Sequence, residues 1–271
     1  EEAKNLAAKG VKELMVVAQD TTYYGVDLYG KRCLAKLLEK LCKVEGIEWI
    51  RLLYLYPERI DDALIDEIAN NDKIVKYMDI PLQHCDKNVL KRMNRHGDRE
   101  SLSALLNKIR EKIDGVTIRT TFIAGFPGET EEEFNELCEF VDEMRFERMG
   151  CFAYSEEEGT YGAENFKDTI TAKVKQQRLD ELMTLQSEIS LSFNQSRVGS
   201  EIDVIVDDFV DGVFVCRSEF ESPEVDGEIL VKPDCEVIGD VDPYSLIGEF
   251  MTVRVTGADE YDLIAEPVEI L

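Results

Sequence analysis

Five apolar, strand-like runs in the first 155 residues each stop abruptly at a small polar cluster, and stretches with helical spacing lie between them. Residues 14–18 run into Gln19-Asp20-Thr21-Thr22, residues 50–55 into Tyr56-Pro57, and residues 78–82 into Gln83-His84. Residues 118–124 run into Gly125-Phe126-Pro127-Gly128-Glu129, and residues 150–153 into Tyr154-Ser155. This spacing predicts strands over 11–18, 49–55, 77–82, 116–124 and 148–153. It predicts helices over 31–44, 60–69, 87–93, 99–112 and 130–146, each with an apolar face such as Leu34, Leu37, Leu38 and Leu41. Regular strand–helix alternation implies parallel pairing with right-handed crossovers. In a parallel β/α barrel the loops at the C-terminal strand ends build the active site. The expected fold class is α/β, a partial TIM-like parallel barrel whose polar tips form one ring.

A second texture begins after Gly199. A polar-rich helical stretch over 169–198 leads into short β-branched segments over 201–210, 213–216, 228–231, 250–256 and 261–267, separated by Gly, Pro and Asp. Closely spaced strands of this kind predict a small antiparallel barrel of OB-like character. The expected division is a β/α barrel over 1–168, a connecting helix over 169–199 and a β-barrel over 200–271. A chain of 271 residues has room for one large domain and one small one.

Charge separates the two parts. Residues 200–271 carry 20 Asp+Glu against 3 Lys+Arg, a balance of −17 within a total of −26. Such a surface repels a phosphate backbone, the reverse of a nucleic-acid binder's usual balance. It serves either solubility or a basic protein partner, and Asp207, Asp208 and Asp211 form the cluster expected to face that partner. No segment approaches the ~20 apolar residues of a membrane helix. The seven cysteines are odd in number, scattered and without a C-x₂-C pair, which points to a reducing compartment such as the cytoplasm. Neither a disulfide framework nor a self-contained metal site is expected from that spacing. The first ten residues read as helical and acidic, unlike a signal peptide, so an earlier strand is expected upstream.

Each polar cluster has a functional and a structural reading. Gly125-Phe126-Pro127-Gly128 is a tight turn after a strand, with Thr130 and Glu133 spaced as a capping box. Glycine there would let backbone approach a ligand. A helix start normally invites anions, but the glutamates at 129 and 131–133 favour a ligand with a cationic or amino-acid part. A plain turn with well-placed dipole charges explains the same residues. His84, a lone histidine, is more often structural than catalytic. Tyr154 and Tyr161 could pack rather than bind. Arg119 shares a strand face with Thr117 and Thr121, a costly place for a charge unless it is paired.

Six segments in order, VVAQDTTYYGVDLYG, WIRLLYLYPERI, YMDIPLQHC, KRMNRHG, IRTTFIAGFPGETEEEF and FAYSEEEGT, resemble the radical S-adenosylmethionine methylthiotransferases. The closing β-segment resembles their TRAM domain. The resemblance implies a transferase whose adenosyl radical removes hydrogen from an unactivated carbon before a methylthio group is added. It implies that Gln19, Gln83, Arg119, Gly125, Phe126 and Glu129 lie near adenosylmethionine, with Asp20, His84 and Tyr154 lining the same mouth. The QDTTYYG segment is similar to the branch that modifies the β-carbon of an aspartate in a basic small-subunit ribosomal protein, with the ribosome as a further partner. The acidic tail fits that branch better than the sibling acting on tRNA. A non-catalytic acidic binding module is the remaining alternative. One departure matters: the family's C-x₃-C-x₂-C motif is absent. The resemblance therefore implies two 4Fe-4S clusters in the whole protein, none held by this chain, and no activity from this chain alone.

Overall fold

The computed structural model describes residues 1–239 and 241–271. Strands β1 (Glu13–Val16), β2 (Trp49–Leu52), β3 (Ile74–Asp79), β4 (Thr117–Ala124) and β5 (Arg148–Ala153) form one sheet in chain order. Every pairing in it is parallel, with Leu14 opposite Ile50, Met78 opposite Ile118 and Thr120 opposite Met149. The α/β expectation holds. The third strand begins at Ile74 rather than at residue 77, because Ile74 and Val75 bury their side chains directly after the loop at Asn71-Asp72.

The helices are α1 (Glu2–Ala7), α2 (Val26–Tyr29), α3 (Leu34–Leu41), α4 (Asp62–Asn70), α5 (Lys87–Arg92) and α6 (Arg99–Lys112). They continue as α7 (Glu131–Met144), α8 (Tyr161–Asn165), α9 (Ala172–Ser196) and α10 (Cys235–Ile238). Side chains of Asp61, Asp86, Asp98, Thr130 and Thr171 cap the starts of α4 to α7 and α9. Such caps satisfy amides that have no partner within the helix. The Thr130–Glu133 capping box is present, with Oγ1 accepting at 3.2 Å and the carboxylate at 2.8 Å. Strand alternation divides the sheet. Ile50, Leu52, Ile118 and Phe122 pack into the main core with the helices, while Arg51, Tyr77, Arg119 and Arg148 project from the other face.

Strands β6 (Glu201–Val210), β7 (Val213–Arg217), β8 (Ile229–Val231), β9 (Phe250–Ala258) and β10 (Leu263–Ile270) close into a barrel ordered β10-β8-β7-β6-β9. Four pairings are antiparallel and one, β8 with β10, is parallel. The purely antiparallel expectation needs this correction, and the reason is topological. Strands that alternate in direction cannot close a ring of odd number without one parallel pair.

The segment between β7 and β8 lies against the sheet face that the helices leave open. Arg51 donates to the carbonyls of Glu219 (2.8 Å) and Ser218 (3.2 Å), and the Tyr77 hydroxyl donates to Asp226 (2.6 Å). Glu221, fully buried, accepts from Arg148 (2.7 Å), Arg197 (2.5 Å) and the Ser218 hydroxyl (2.5 Å). Burial opposes its charge, yet Arg197, Arg148 and Ser218 bring its pKa from 4.5 down to about 2. A second bridge runs from Glu13 to Arg51 and Arg217, each at 2.7 Å, and from Arg217 to Asp207 at 2.5 and 2.9 Å. Asp207 is exposed but paired with Arg217 of its own domain, and so is not a free charge for a partner. Asp208 and Asp211 are exposed, Asp211 at a positive-φ turn position with Gly212. Among the described residues, no helix is long and apolar enough to cross a membrane.

Candidate functional site

Because β1 to β5 run in one direction, their five polar tips lie at the same end of the sheet. The first tip is fastened to the second, with the Thr21 amide donating to Tyr54 O (3.1 Å) and its hydroxyl to Leu53 O (2.9 Å). Asp20 accepts from the Thr22 amide at 3.0 Å and pairs with Arg59, so its carboxylate holds loops together. Gln19 is exposed beside the edge strand.

A cavity of about 660 Å³ opens at the tips of β3, β4 and β5. Gln83, Thr121, Ile123, Phe126, Phe152 and Tyr154 line it, and Tyr161 and Gly162 of α8 reach across. Gln83 extends the sheet by one bridge, donating to Thr121 O (2.8 Å) and accepting from the Ile123 amide (2.9 Å). Its φ of 70° then turns the chain sharply. Among the described residues its side-chain amide makes no hydrogen bond, so its polar atoms are available to a ligand. Phe126 meets Tyr154 edge-on at 5.0 Å and Phe166 at 6.2 Å, and the buried Tyr154 hydroxyl has no partner among the described residues. Gly162 has no side chain here because a Cβ would come within 3.3 Å of that hydroxyl.

A smaller chamber of about 260 Å³ shares Gln83, Thr121 and Phe152 with the first and ends on Asp79 and Arg119. Arg119 Nη1 donates to Asp79 Oδ1 (2.9 Å) and Thr121 Oγ1 (3.3 Å), and Nε stands 3.6 Å from Asp226. Burial opposes the guanidinium charge, but Asp79, Tyr77 and Asp226 outweigh it and raise its pKa further. Asp226 belongs to the C-terminal domain, and burial raises its own pKa.

Two of the residues expected at the mouth lie behind it. The Glu129 carboxylate accepts the Gly125 amide (3.0 and 3.1 Å) and Arg178 Nη1 (2.7 Å), with its side chain fully buried. His84 is also fully buried, and its Nδ1 accepts from the Asp86 amide at 3.0 Å. The ring proton is therefore on Nε2, 3.6 Å from Glu129. Both residues shape the glycine loop rather than line the cavity. Gly125 itself is approached by protein: a Cβ there would lie 2.5 Å from Lys175 Cγ of α9, at a φ of 77°. Gly125→Ala should therefore cost roughly 1–3 kcal/mol from left-handed strain and overpacking, measurable as a lower urea midpoint. An unchanged midpoint would mean that α9 yields freely.

Sequence reading missed Thr121, Ile123 and Phe152 as cavity residues, although alternation from Arg119 and Gly150 places them on the same face. Nothing in the local sequence pointed to Asp226. All seven cysteines are unpaired, and burial pushes the thiols of Cys138, Cys151 and Cys216 up to about 12. Among the described residues, no three His, Cys, Asp or Glu side chains group in a way that could hold a metal ion.

The sequence profile of the radical SAM superfamily matches residues 1–141, and that of the TRAM domain matches residues 198–268. The ribosomal protein uS12 methylthiotransferase RimO of Caldanaerobacter subterraneus subsp. tengcongensis is 51% identical over 98% of this chain and 59% of that protein. The protein of the same name from Phocaeicola vulgatus is 48% identical over 98% of this chain and 60% of its own. The chain thus spans 59–60% of the length of these curated relatives. Among solved structures, the radical SAM enzyme coproporphyrinogen III oxidase (HemN) from Escherichia coli aligns with a TM-score of 0.49 at 22% identity, over 58% of this chain and 36% of that one.

Proposed function

This chain belongs to the radical SAM superfamily, and from that premise we propose that it is the barrel and C-terminal domain of a longer, cytoplasmic methylthiotransferase. Its substrate is an aspartate of a basic small-subunit ribosomal protein, modified at the β-carbon. The observation that carries this reading is 51% identity over 98% of the chain to a uS12 methylthiotransferase.

The strand-tip cavity suits adenosylmethionine. Its volume falls in the ~300–1,000 Å³ range of ligand pockets, with an aromatic wall and few polar groups. Phe126 and Tyr154 offer faces and edges to an adenine, and the unpartnered Gln83 amide offers a donor and an acceptor. Glu129 and His84 act from behind by fixing the Gly125 loop, while Gln19 and Asp20 form the rim at the first tip. If bound and given one electron by a 4Fe-4S cluster, adenosylmethionine would supply, with release of methionine, the radical chemistry for hydrogen abstraction. The protein's share is binding, orientation and exclusion of water. A 4Fe-4S cluster does not fit the cysteines present, which are scattered and, where buried, protonated. The clusters of the whole enzyme are accordingly proposed to be held by residues upstream of this chain.

The acidic C-terminal domain supports a basic protein partner over tRNA. Of its three cations, Arg217 is neutralised by Glu13 and Asp207, and Arg254 is paired with Glu201 at 2.5 Å. Its field would speed encounter with a cationic protein and fade beyond ~8 Å at physiological ionic strength. The test is to give the full-length, cluster-reconstituted protein either the ribosomal protein or tRNA and analyse both by mass spectrometry. A methylthio group on one aspartate is expected. Modified tRNA with unmodified protein would replace this reading by the sibling activity.

A further inference from the structure

The lower chamber has features that the adenosylmethionine cavity does not require. Arg119 Nη1 and Nε are engaged by Asp79, Thr121 and Asp226, but among the described residues Nη2 makes no hydrogen bond. That atom is also not among the buried unpaired atoms, so it is not sealed off, and Arg119 lines the chamber. Directly beside it sits Gly150, in the middle of β5, where a Cβ would be 3.8 Å from Nη2; Gly150 lines the adjoining cavity, which shares Val225 with the chamber and reaches Asp226. This glycine has ordinary strand φ, so no backbone conformation demands it. A glycine inside a strand weakens the strand and marks a place where something approaches closely. The chamber floor is completed by Ser222 and Val225 of the C-terminal domain, next to Asp226.

We propose that Arg119 Nη2 is the receptor for the carboxylate of the substrate's acidic side chain. Gly150 leaves room for that group, and Asp79 and Asp226 act as positioning residues that aim the guanidinium. The inference rests on the methylthiotransferase reading above and deepens it. Geometry favours the substrate over the methionyl carboxylate of the cofactor, because the aromatic-walled cavity lies above this chamber and meets it only at Gln83, Thr121 and Phe152. A planar guanidinium with two free N–H groups suits a carboxylate. Its fixed position would hold the carboxylate, and with it the adjacent β-carbon, beneath the upper cavity. The C-terminal domain then contributes to the catalytic chamber as well as to docking, since Asp226 is one of the two carboxylates that orient Arg119.

The test uses the full-length reconstituted enzyme and the Gly150→Ala variant. That substitution adds one methyl group at ordinary contact distance and keeps every ion pair, so folding should be retained. KM for the ribosomal protein should rise about 10-fold or more, the loss expected when a charge-assisted hydrogen bond is prevented. Adenosylmethionine affinity, read by calorimetry, should stay within a factor of about 2. A second arm compares Arg119→Lys with the parent enzyme on substrates carrying aspartate or asparagine at the modified position. The parent should bind the aspartate form more tightly, and Arg119→Lys should lose most of that preference. If Gly150→Ala weakens adenosylmethionine instead, the chamber holds the cofactor's carboxylate and the proposal is overturned. Unchanged KM and unchanged aspartate preference would overturn it as well. Failure of the parent enzyme to modify the ribosomal protein at all would sink the underlying methylthiotransferase reading, a separate outcome.

Discussion

Replacing Glu221 by Gln should destabilise the protein by roughly 3–5 kcal/mol, the cost of stranding buried charge when one partner of an ion pair is removed. Arg148 and Arg197 both direct an N–H at this one carboxylate, and the two arginines come from different parts of the chain, β5 and the end of α9. Both arginines are themselves buried. The variant should therefore show a lower melting temperature and early proteolysis in the 218–228 segment. A variant as stable as the parent would mean that the arginines find other partners. The same carboxylate sets an acid limit. Its pKa is 4.5 unfolded and about 2 folded, so its contribution is complete above about pH 4.5 and is lost as pH falls toward 2. Linkage puts that contribution on the order of 3 kcal/mol. Glu13, depressed by Arg51 and Arg217 against the cost of burial, acts in the same direction. Acid titration of the parent should show a stability loss in this window, and Glu221→Gln should flatten it.

The second large effect separates packing from ligand binding. Phe122 and Phe126 are both buried, four residues apart at the end of one strand. Phe122 packs edge-on against Phe146 (5.7 Å) and Phe140 (6.4 Å) in the main core, whereas Phe126 lines the strand-tip cavity. Truncating either to alanine should cost about 3–5 kcal/mol of stability. Only Phe126→Ala should, in addition, weaken adenosylmethionine binding in protein that remains folded at low temperature. Calorimetry on both variants of the full-length protein checks this. Equal affinity in the two would remove Phe126 from the proposed site.

Much of this architecture follows from local rules. The strand-to-helix rhythm, the Thr130–Glu133 cap and the change of texture after Gly199 are all set by residues within a few positions of one another. Backbone periodicity and capping act over one or two turns, so such features can be read without coordinates. Other sequence expectations were right about position but wrong about direction. Glu129 and His84 do stand at strand tips, yet they turn inward because Arg178, 49 residues later, draws the carboxylate behind the loop. Gly125 makes its close approach to Lys175 rather than to a ligand.

The chain's sequence by itself determined the order and type of its elements, the parallel sense of its first five strands and the end at which their polar tips gather. Only the tertiary structure decided which tip residues share a cavity, that Asp207 is tied to Arg217 and that Asp226 helps orient Arg119 in the chamber beneath the tips. The physical reason is one of range. Periodicity is a property of neighbouring residues, whereas the direction of a buried charge depends on its partner. For Arg119, those partners are Asp79 on the neighbouring strand and Asp226, 107 residues away in another domain.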